Sequence, residues 1–166
     1  VHWHAVFTAS RAEKKVRDRL EELGVECFLP VQTVLRQWTY RKSRVVVPVI
    51  AGLVFVRVGR QEQVKVLQTK GVVAFLRLKG EAGAAVIPDK QMEDFRFLLD
   101  FSEEAVEMTN ENIKAGDLVR VVKGSLRGME GELIRHKGVT KVLVRIDMLG
   151  CAMVNIPASF VEKLNK

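Results

Sequence analysis

The sequence predicts an α+β protein, with an N-terminal α/β sandwich built on a mainly antiparallel sheet and a small C-terminal β-barrel. Strand-like and helix-like patterns alternate over residues 1–101, as in a sheet that packs against helices. Residues 102–113 are acidic and weakly hydrophobic, and predict a flexible linker. Residues 114–166 show only short strand-like runs separated by glycines, which indicate a closed barrel.

The first predicted elements are a strand and an amphipathic helix. Residues 3–8, WHAVFT, alternate as a strand does. Ser10 and Glu13 have the spacing of a capping box, which predicts a helix over residues 11–23. Gly24 is expected to end this helix in the left-handed backbone conformation.

The most strand-like stretch is residues 45–58, VVVPVIAGLVFVRV. It is almost entirely aliphatic, with interruptions at Pro48 and Gly52, and its last part alternates with apolar groups on both faces. Residues 33–44 lack a clean period and predict a hairpin or excursion that leads into this stretch.

The remaining elements follow from the same two periodicities, three to four residues for helices and two for strands. Pro88 and Asp89 predict the start of the last helix. The predicted elements are helices at 61–69 and 88–101, N-terminal strands at 25–29, 72–78 and 86–88, and C-terminal strands at 117–122, 131–136, 141–146 and 151–156.

Composition limits the function classes. A net charge of +7 favours an anionic partner, which the charge alone leaves open between nucleic acid, an acidic membrane surface and an acidic protein. Cys27 and Cys151 lie far apart in apolar runs and predict free thiols in a reducing cytoplasm. No metal spacing is present, and no run approaches the roughly 20 apolar residues of a membrane helix. We expect a cytoplasmic monomer that makes no membrane contact.

No catalytic motif is recognisable. The carboxylates of Asp94, Asp100 and Asp147 have no partner motif, and no nucleophile and base can be paired. The glycines at residues 80–83 lack the Lys and Ser or Thr that follow in a P-loop. The sequence therefore predicts a protein that is not an enzyme and has no cofactor.

Residues 114–132, KAGDLVRVVKGSLRGMEGE, carry the most specific motif. Alternating hydrophobic residues enter a loop in which Gly128 and Gly131 allow backbone geometry that other residues resist. The pattern resembles the KOW motif of transcription and ribosomal proteins. The alternative is a small barrel that is simply held by turn glycines.

With this motif after an α+β domain, the whole chain resembles the NusG family of transcription elongation factors, which join an NGN domain to a KOW barrel. The family usually has Pro-Gly-Tyr where this chain has Ala51, Gly52 and Leu53. The N-terminal resemblance rests on WHAVFT at 3–8, the basic helix at 11–23, ECFLP at 26–30 and GLVFVRV at 52–58.

Within the family, the chain is more similar to the operon-specific paralogs, such as RfaH and the UpxY-type regulators of polysaccharide operons. The basic, aromatic segment at 36–44 and the departure at 51–53 favour this interpretation. The resemblance implies a factor that suppresses pausing or termination on specific operons. The alternatives are a general NusG-like elongation factor and a KOW-containing ribosomal or RNA-binding protein.

The resemblance also implies three binding sites. An apolar concavity would bind the clamp helices of the largest subunit of RNA polymerase, although its residues are alternatively core residues of the sheet. Its predicted members are Trp3, Phe7, Ile50, Leu53 and Phe55.

The second implied site would contact upstream DNA and the non-template strand through phosphates and stacked bases. A solvated helix face explains its helical part equally well. Its predicted members are Arg11, Lys14, Lys15, Arg36, Trp38, Tyr40, Arg41, Lys42 and Arg44.

The third implied site lies in the barrel, where Leu126, Met129 and Leu149 are expected to be exposed at loop positions. Its partner in the family is a ribosomal protein or the termination factor Rho. The β-branched residues of this domain predict strands in its resting state.

Overall fold

The computed structural model of the chain describes residues 1–164 and divides into two compact units, Val1–Asp89 and the chain from Lys90 onward. The predicted fold class is confirmed, because the N-terminal region mixes helices with an antiparallel sheet and the C-terminal region forms an all-β sheet.

The first unit is built on a four-stranded antiparallel sheet in the order β2-β5-β1-β6. A separate two-stranded sheet is formed by β3 and β4. The elements of this unit are β1 (His2–Thr8), α1 (Glu13–Glu22), β2 (Glu26–Phe28), β3 (Val31–Gln37), β4 (Lys42–Pro48), β5 (Leu53–Val58), α2 (Arg60–Leu67) and β6 (Val72–Phe75).

One face of the four-stranded sheet packs against α1 and α2. Val6 of β1 and Val54 of β5 lie opposite each other and share this face, and both are fully buried. They belong to one apolar cluster with Val16 and Leu20 of α1 and Val66 of α2. The alternation predicted for residues 45–58 thus places valines of β5 on the face that packs against the helices.

The predicted hairpin is confirmed and forms its own two-stranded sheet. β3 and β4 pair antiparallel from Val31 opposite Pro48 to Gln37 opposite Lys42. The predicted strand stretch at 45–58 is therefore shared between two sheets. It divides at residues 49–52, the β4–β5 turn, where Gly52 adopts a φ of +71°.

The helix α1 begins differently from the prediction. Its N-cap is Ala12, which makes no side-chain cap, so the predicted capping box of Ser10 and Glu13 does not form. The Glu13 carboxylate instead accepts a hydrogen bond from the backbone N–H of Gly52, at 3.0 Å. The end of the helix agrees with the prediction, since Gly24 follows it with a φ of +76°.

The second unit contains an α-helix, a short 3₁₀ helix and an antiparallel sheet in the order β12-β8-β9-β10-β11-β7. The four predicted C-terminal strands are all present, with ends that differ by one or two residues. Among the described residues, no ladder joins the outer strands β12 and β7. The elements are α3 (Asp89–Phe101), β7 (Glu107–Thr109), β8 (Asp117–Val121), β9 (Glu130–His136), β10 (Val139–Ile146), β11 (Gly150–Asn155), the short 3₁₀ helix Ala158–Phe160 and β12 (Val161–Lys163).

Part of the segment predicted as a linker is structured. β7 pairs antiparallel with β11, with Thr109 opposite Cys151, and the preceding Val106 is buried. Lys141 of β10 also forms a salt bridge with Glu107, with 2.7 Å between Nζ and Oε2. The acidic segment therefore contributes an outer strand to the C-terminal sheet.

A bidentate ion pair organises the centre of this sheet. Arg145 donates from Nε and Nη2 to the two carboxylate oxygens of Glu132, at 2.7 and 3.1 Å. Its Nη2 also donates to the Ile113 carbonyl at 2.8 Å, and the Gly116 N–H donates to Glu132 at 3.0 Å. The pair thus fixes the entry to β8.

Within residues 1–164, no helix is long and apolar enough to cross a membrane. In the same part of the chain, no group of three or more His, Cys, Asp or Glu side chains could hold a metal ion.

Candidate functional site

Four of the five residues predicted for polymerase binding share one face of the four-stranded sheet. Phe7 of β1 lies directly opposite Leu53 of β5, and Ala5 lies opposite Phe55. Trp3 is on the same face as Phe7, because side chains two and four residues apart along a strand point the same way. This is the face opposite the α1–α2 cluster, and the structure thus brings the four together.

Burial separates these residues into two groups. Trp3, Leu53 and Phe55 are buried, and Phe55 stacks on Phe28 with ring centroids 6.2 Å apart. Phe7 remains 39% exposed. The three buried side chains therefore serve as core residues, which is the alternative that the sequence left open. Phe7 is the accessible member of the four on the sheet.

The fifth residue, Ile50, lies outside the sheet in the β4–β5 turn and is half-buried. The turn is tied to its surroundings by backbone hydrogen bonds. Val49 N–H donates to the Pro30 carbonyl at 2.8 Å, and Thr8 N–H donates to the Gly52 carbonyl at 2.9 Å. Because Thr8 directly follows Phe7, Ile50 and Phe7 are carried by segments that are bonded together.

The tip of the β3–β4 hairpin presents two aromatic side chains. Trp38 N–H donates to the Arg41 carbonyl at 2.6 Å, which closes the turn. The Trp38 indole N–H donates to the Ser43 hydroxyl, so its ring has a defined orientation. Tyr40 is 97% exposed and Trp38 is partly exposed. Exposed aromatic faces of this kind can stack on unpaired bases.

The hairpin is basic and contains no compensating acid. No Asp or Glu occurs from residue 27 to residue 61. Arg36, Arg41, Lys42 and Arg44 are exposed, and none of them forms an ion pair with another described residue. Their charges are therefore available to an anion, as the sequence predicts for a phosphate-binding segment.

The helical part of the predicted nucleic-acid site is connected to the hairpin through one residue. Lys14 Nζ donates to the Val46 carbonyl of β4 at 3.1 Å, so this ammonium group supports the hairpin. Arg11 and Lys15 are exposed at the start of α1, where Arg11 has a φ of +59°. The structure thus links the two segments but assigns Lys14 a structural contact that the sequence did not predict.

Sequence reasoning missed the role of Glu13. This residue is only 7% exposed, and its partner is a turn 39 positions along the chain. The signal that could have revealed it is its spacing, because Glu13, Val16 and Leu20 recur on the buried stripe of α1. The local capping-box interpretation assigned the carboxylate to the wrong partner.

The three residues predicted for the partner of the C-terminal domain are not exposed loop tips. Leu126 is 6% exposed and Met129 is 4% exposed, and Leu149 is half-buried. The Met129 N–H donates to the Leu126 carbonyl at 3.0 Å, which closes a tight turn between them. The expected exposure is therefore wrong for Leu126 and Met129, because the folded domain buries both side chains.

Both cysteines are free, as predicted, and neither is activated. Burial raises the pKa of the Cys27 thiol to about 11, with smaller contributions from nearby carboxylates. Burial also raises the pKa of Cys151. Because the thiolate is the nucleophile, these environments disfavour cysteine chemistry at neutral pH.

Comparison with known proteins agrees with this fold. A solved structure of Thermotoga maritima NusG is similar over 99% of this chain and 97% of that chain, with 23% identity and a TM-score of 0.51. At this identity the likeness establishes the fold. Two structures of the MjSpt4:Spt5 complex match at 18% identity, covering 99% of this chain and 97% or 99% of the other, but their TM-scores of 0.29 and 0.26 carry no argument. No curated protein sequence gave a match.

The family comparison is more specific. The model of the NusG family, described as transcription termination factor nusG, matches residues 1–96, which is more than half of the chain. The matched region contains the four-stranded sheet, the β4–β5 turn and the hairpin. The chain therefore belongs to the NusG family of transcription factors.

Proposed function

We propose that this protein is a transcription elongation factor that binds the clamp helices of the largest subunit of RNA polymerase and suppresses pausing or termination. The observation that carries the proposal is the NusG family match over residues 1–96. NusG-family proteins work with RNA polymerase. Phe7, Ile50 and the hairpin all lie within the matched region, and we assign the first two to protein contact and the hairpin to nucleic-acid contact.

In this proposal the polymerase contact is centred on Phe7 and Ile50. These are the accessible members of the predicted set, and Leu53 supports Phe7 from the opposite strand. A few large apolar side chains at the centre of an interface supply most of its affinity. A factor bound on the clamp that also bridges the DNA cleft would disfavour clamp opening, and thus pausing and termination.

The hairpin would contact the non-template strand of the elongation complex. Its four exposed cations can neutralise phosphates, and Trp38 and Tyr40 can stack on exposed bases. The long basic hairpin, together with Ala51 and Leu53 in place of the usual family residues, supports recruitment to specific operons, such as those for polysaccharide biosynthesis.

The C-terminal sheet would bind a second partner, a ribosomal protein or Rho. Because Leu126 and Met129 are buried, Leu149 is the accessible member of the predicted set. The exposed Met148 lies next to it in the chain. The partner contact is accordingly proposed at the β10–β11 connection.

The direct test compares the affinity of the wild-type chain and of Ile50→Glu for RNA polymerase. A charged residue at an interface centre should weaken binding by roughly thirtyfold or more, as for a typical interface hot spot. Val64→Glu is the matched control, because Val64 is an exposed apolar residue of α2 outside the proposed surface. Far-UV circular dichroism should be the same for all three proteins.

Equal affinity of Ile50→Glu and wild type would contradict the proposed surface. Co-purification with ribosomal subunits and not with polymerase would favour the ribosomal or RNA-binding alternative. Genomic occupancy on a few operons supports the operon-specific role, and occupancy of all transcribed genes supports the general elongation factor.

A further inference from the structure

The β4–β5 turn, which carries Ile50, is held through both backbone groups of one residue. The Gly52 carbonyl accepts a hydrogen bond from Thr8 N–H at 2.9 Å, which ties the turn to the end of β1. The Gly52 N–H donates to the Glu13 carboxylate at 3.0 Å, which ties it to α1. Gly52 also has a φ of +71°, a backbone conformation that residues with a side chain rarely adopt.

Glu13 occupies an environment in which a carboxylate is costly without a partner. It is buried in the first turn of α1, beside Val16 and Leu20 of the apolar cluster. Within residues 1–164 it forms no ion pair, and the Gly52 N–H is its hydrogen-bond donor. The bond therefore stabilises the buried carboxylate and also fixes the turn.

The next residue of the helix holds the other end of the same segment. Lys14 Nζ donates to the Val46 carbonyl in β4, six residues before Gly52. Glu13 and Lys14 thus connect the start of α1 to Gly52 and to Val46, which lie on either side of Ile50 in the sequence. Because Glu13 and Lys14 are adjacent, both contacts come from the same turn of the helix.

We propose that Glu13 is a positioning residue for polymerase binding, whose carboxylate fixes the β4–β5 turn so that Ile50 and Phe7 are presented together. This inference rests on the proposed function. Glu13 itself is buried and does not contact the partner. It acts on Phe7 as well as Ile50, because Leu53 follows the turn directly and lies opposite Phe7 in the sheet.

The test measures turn mobility and polymerase affinity in the same variants of the full chain. Glu13→Ala removes the acceptor and should accelerate hydrogen exchange of the Gly52 amide roughly tenfold or more, with about tenfold weaker binding to core RNA polymerase. Glu13→Gln keeps a carbonyl acceptor and should retain part of both properties. Glu22→Ala, an exposed acid in the last turn of the same helix, should change neither.

Each outcome supports or contradicts the positioning role of Glu13. Unchanged exchange at Gly52 in Glu13→Ala would show that the carboxylate does not hold the turn. Faster exchange with wild-type affinity would show that polymerase binding does not need the held turn, and would overturn this inference alone. Failure of the wild-type chain to bind polymerase would overturn the proposed function and this inference with it. If Glu13→Ala does not fold, Glu13→Gln must show faster Gly52 exchange and weaker binding, with normal protection of β5, or the inference fails.

Discussion

The cations of the hairpin and those of the C-terminal sheet differ in what surrounds them. In the sheet, basic side chains pair with carboxylates across strands, as Arg145 does with Glu132 and Lys141 with Glu107. In the hairpin, Arg41 and its neighbours have no acid within the same stretch of sequence and no ion pair among the described residues. Basic residues therefore stabilise the fold in the C-terminal sheet and remain available to an anionic partner in the hairpin.

This difference teaches why net charge is a poor guide to a binding site. A paired cation has its field cancelled at short range and holds strands together, whereas unpaired cations on one exposed hairpin add their fields. The positive charge that matters for an anionic partner is thus the local excess on the hairpin. Three changes test this distinction.

The largest expected effect is on stability in the C-terminal sheet. Arg145→Ala removes both bonds to Glu132 and leaves that half-buried carboxylate with the Gly116 N–H as its one hydrogen-bond donor among residues 1–164. We expect a loss of about 1–2 kcal/mol in the free energy of unfolding, toward the lower end for charged hydrogen bonds because Arg145 is partly exposed. Arg44→Ala in the hairpin should stay within about 0.5 kcal/mol of wild type. Equal losses in urea unfolding would remove the distinction.

A smaller effect is expected on the salt dependence of binding to single-stranded DNA. Arg41→Ala with Lys42→Ala should reduce the slope of log affinity against log salt by about 1.4, if each cation neutralises one phosphate. The matched control removes two ion-paired cations, Arg120→Ala with Lys163→Ala, and should leave the slope unchanged. The measurement is a fluorescence titration at several salt concentrations. Equal reductions in both double variants would mean that only total charge matters.

The smallest effect is a pH dependence confined to the paired region. The hydrogen bond from Lys141 lowers the pKa of Glu107 below its ordinary 4.5, with burial acting in the opposite direction. Because the folded pKa lies below the unfolded one, the pair stabilises the fold above about pH 4.5 and this contribution disappears as pH falls through the lowered pKa. Glu107 is exposed, so the contribution is less than about 1 kcal/mol.

Glu107→Gln isolates this contribution. The variant should be slightly less stable than wild type at neutral pH, and the difference should shrink as the pH falls below 4.5, as measured by thermal unfolding from pH 7 downward. A difference that stays constant over the whole acid range would mean that the side chain acts through packing and not through charge. The hairpin has no carboxylate, so the matched comparison, Arg44→Ala, should show no such convergence.

Much of the fold could be predicted because its signals are local. Gly24 and Gly52 mark turns that need positive φ, and alternating valines mark strands whose bounds the structure confirms within a few residues. The basic hairpin could be predicted because its two strands, β3 and β4, are close in sequence and pair with each other. Its exposed cations are visible in the sequence itself. The four predicted C-terminal strands also have a local signal, because a glycine lies at or just before the start of β8, β9, β10 and β11.

The missed features are non-local. Trp3, Leu53 and Phe55 alternate like residues of a docking face, but alternation does not say whether a face is covered by the protein itself. Leu126 and Met129 lie in a glycine-rich loop but are buried in the fold, which composition cannot show. The outer strand β7 formed in an acidic segment because β11 offered it backbone partners.

The sequence by itself determined the strand and helix periods, the turn glycines, the acid-free hairpin and the family resemblance, because each depends on residue type and spacing along the chain. Tertiary structure alone decided which apolar groups are buried, which cations are paired and which backbone N–H donates to the Glu13 carboxylate. These depend on distances between residues far apart in sequence. The carboxylate of Glu13 is the clearest case, since its local partner was available at Ser10 and its actual partner is Gly52.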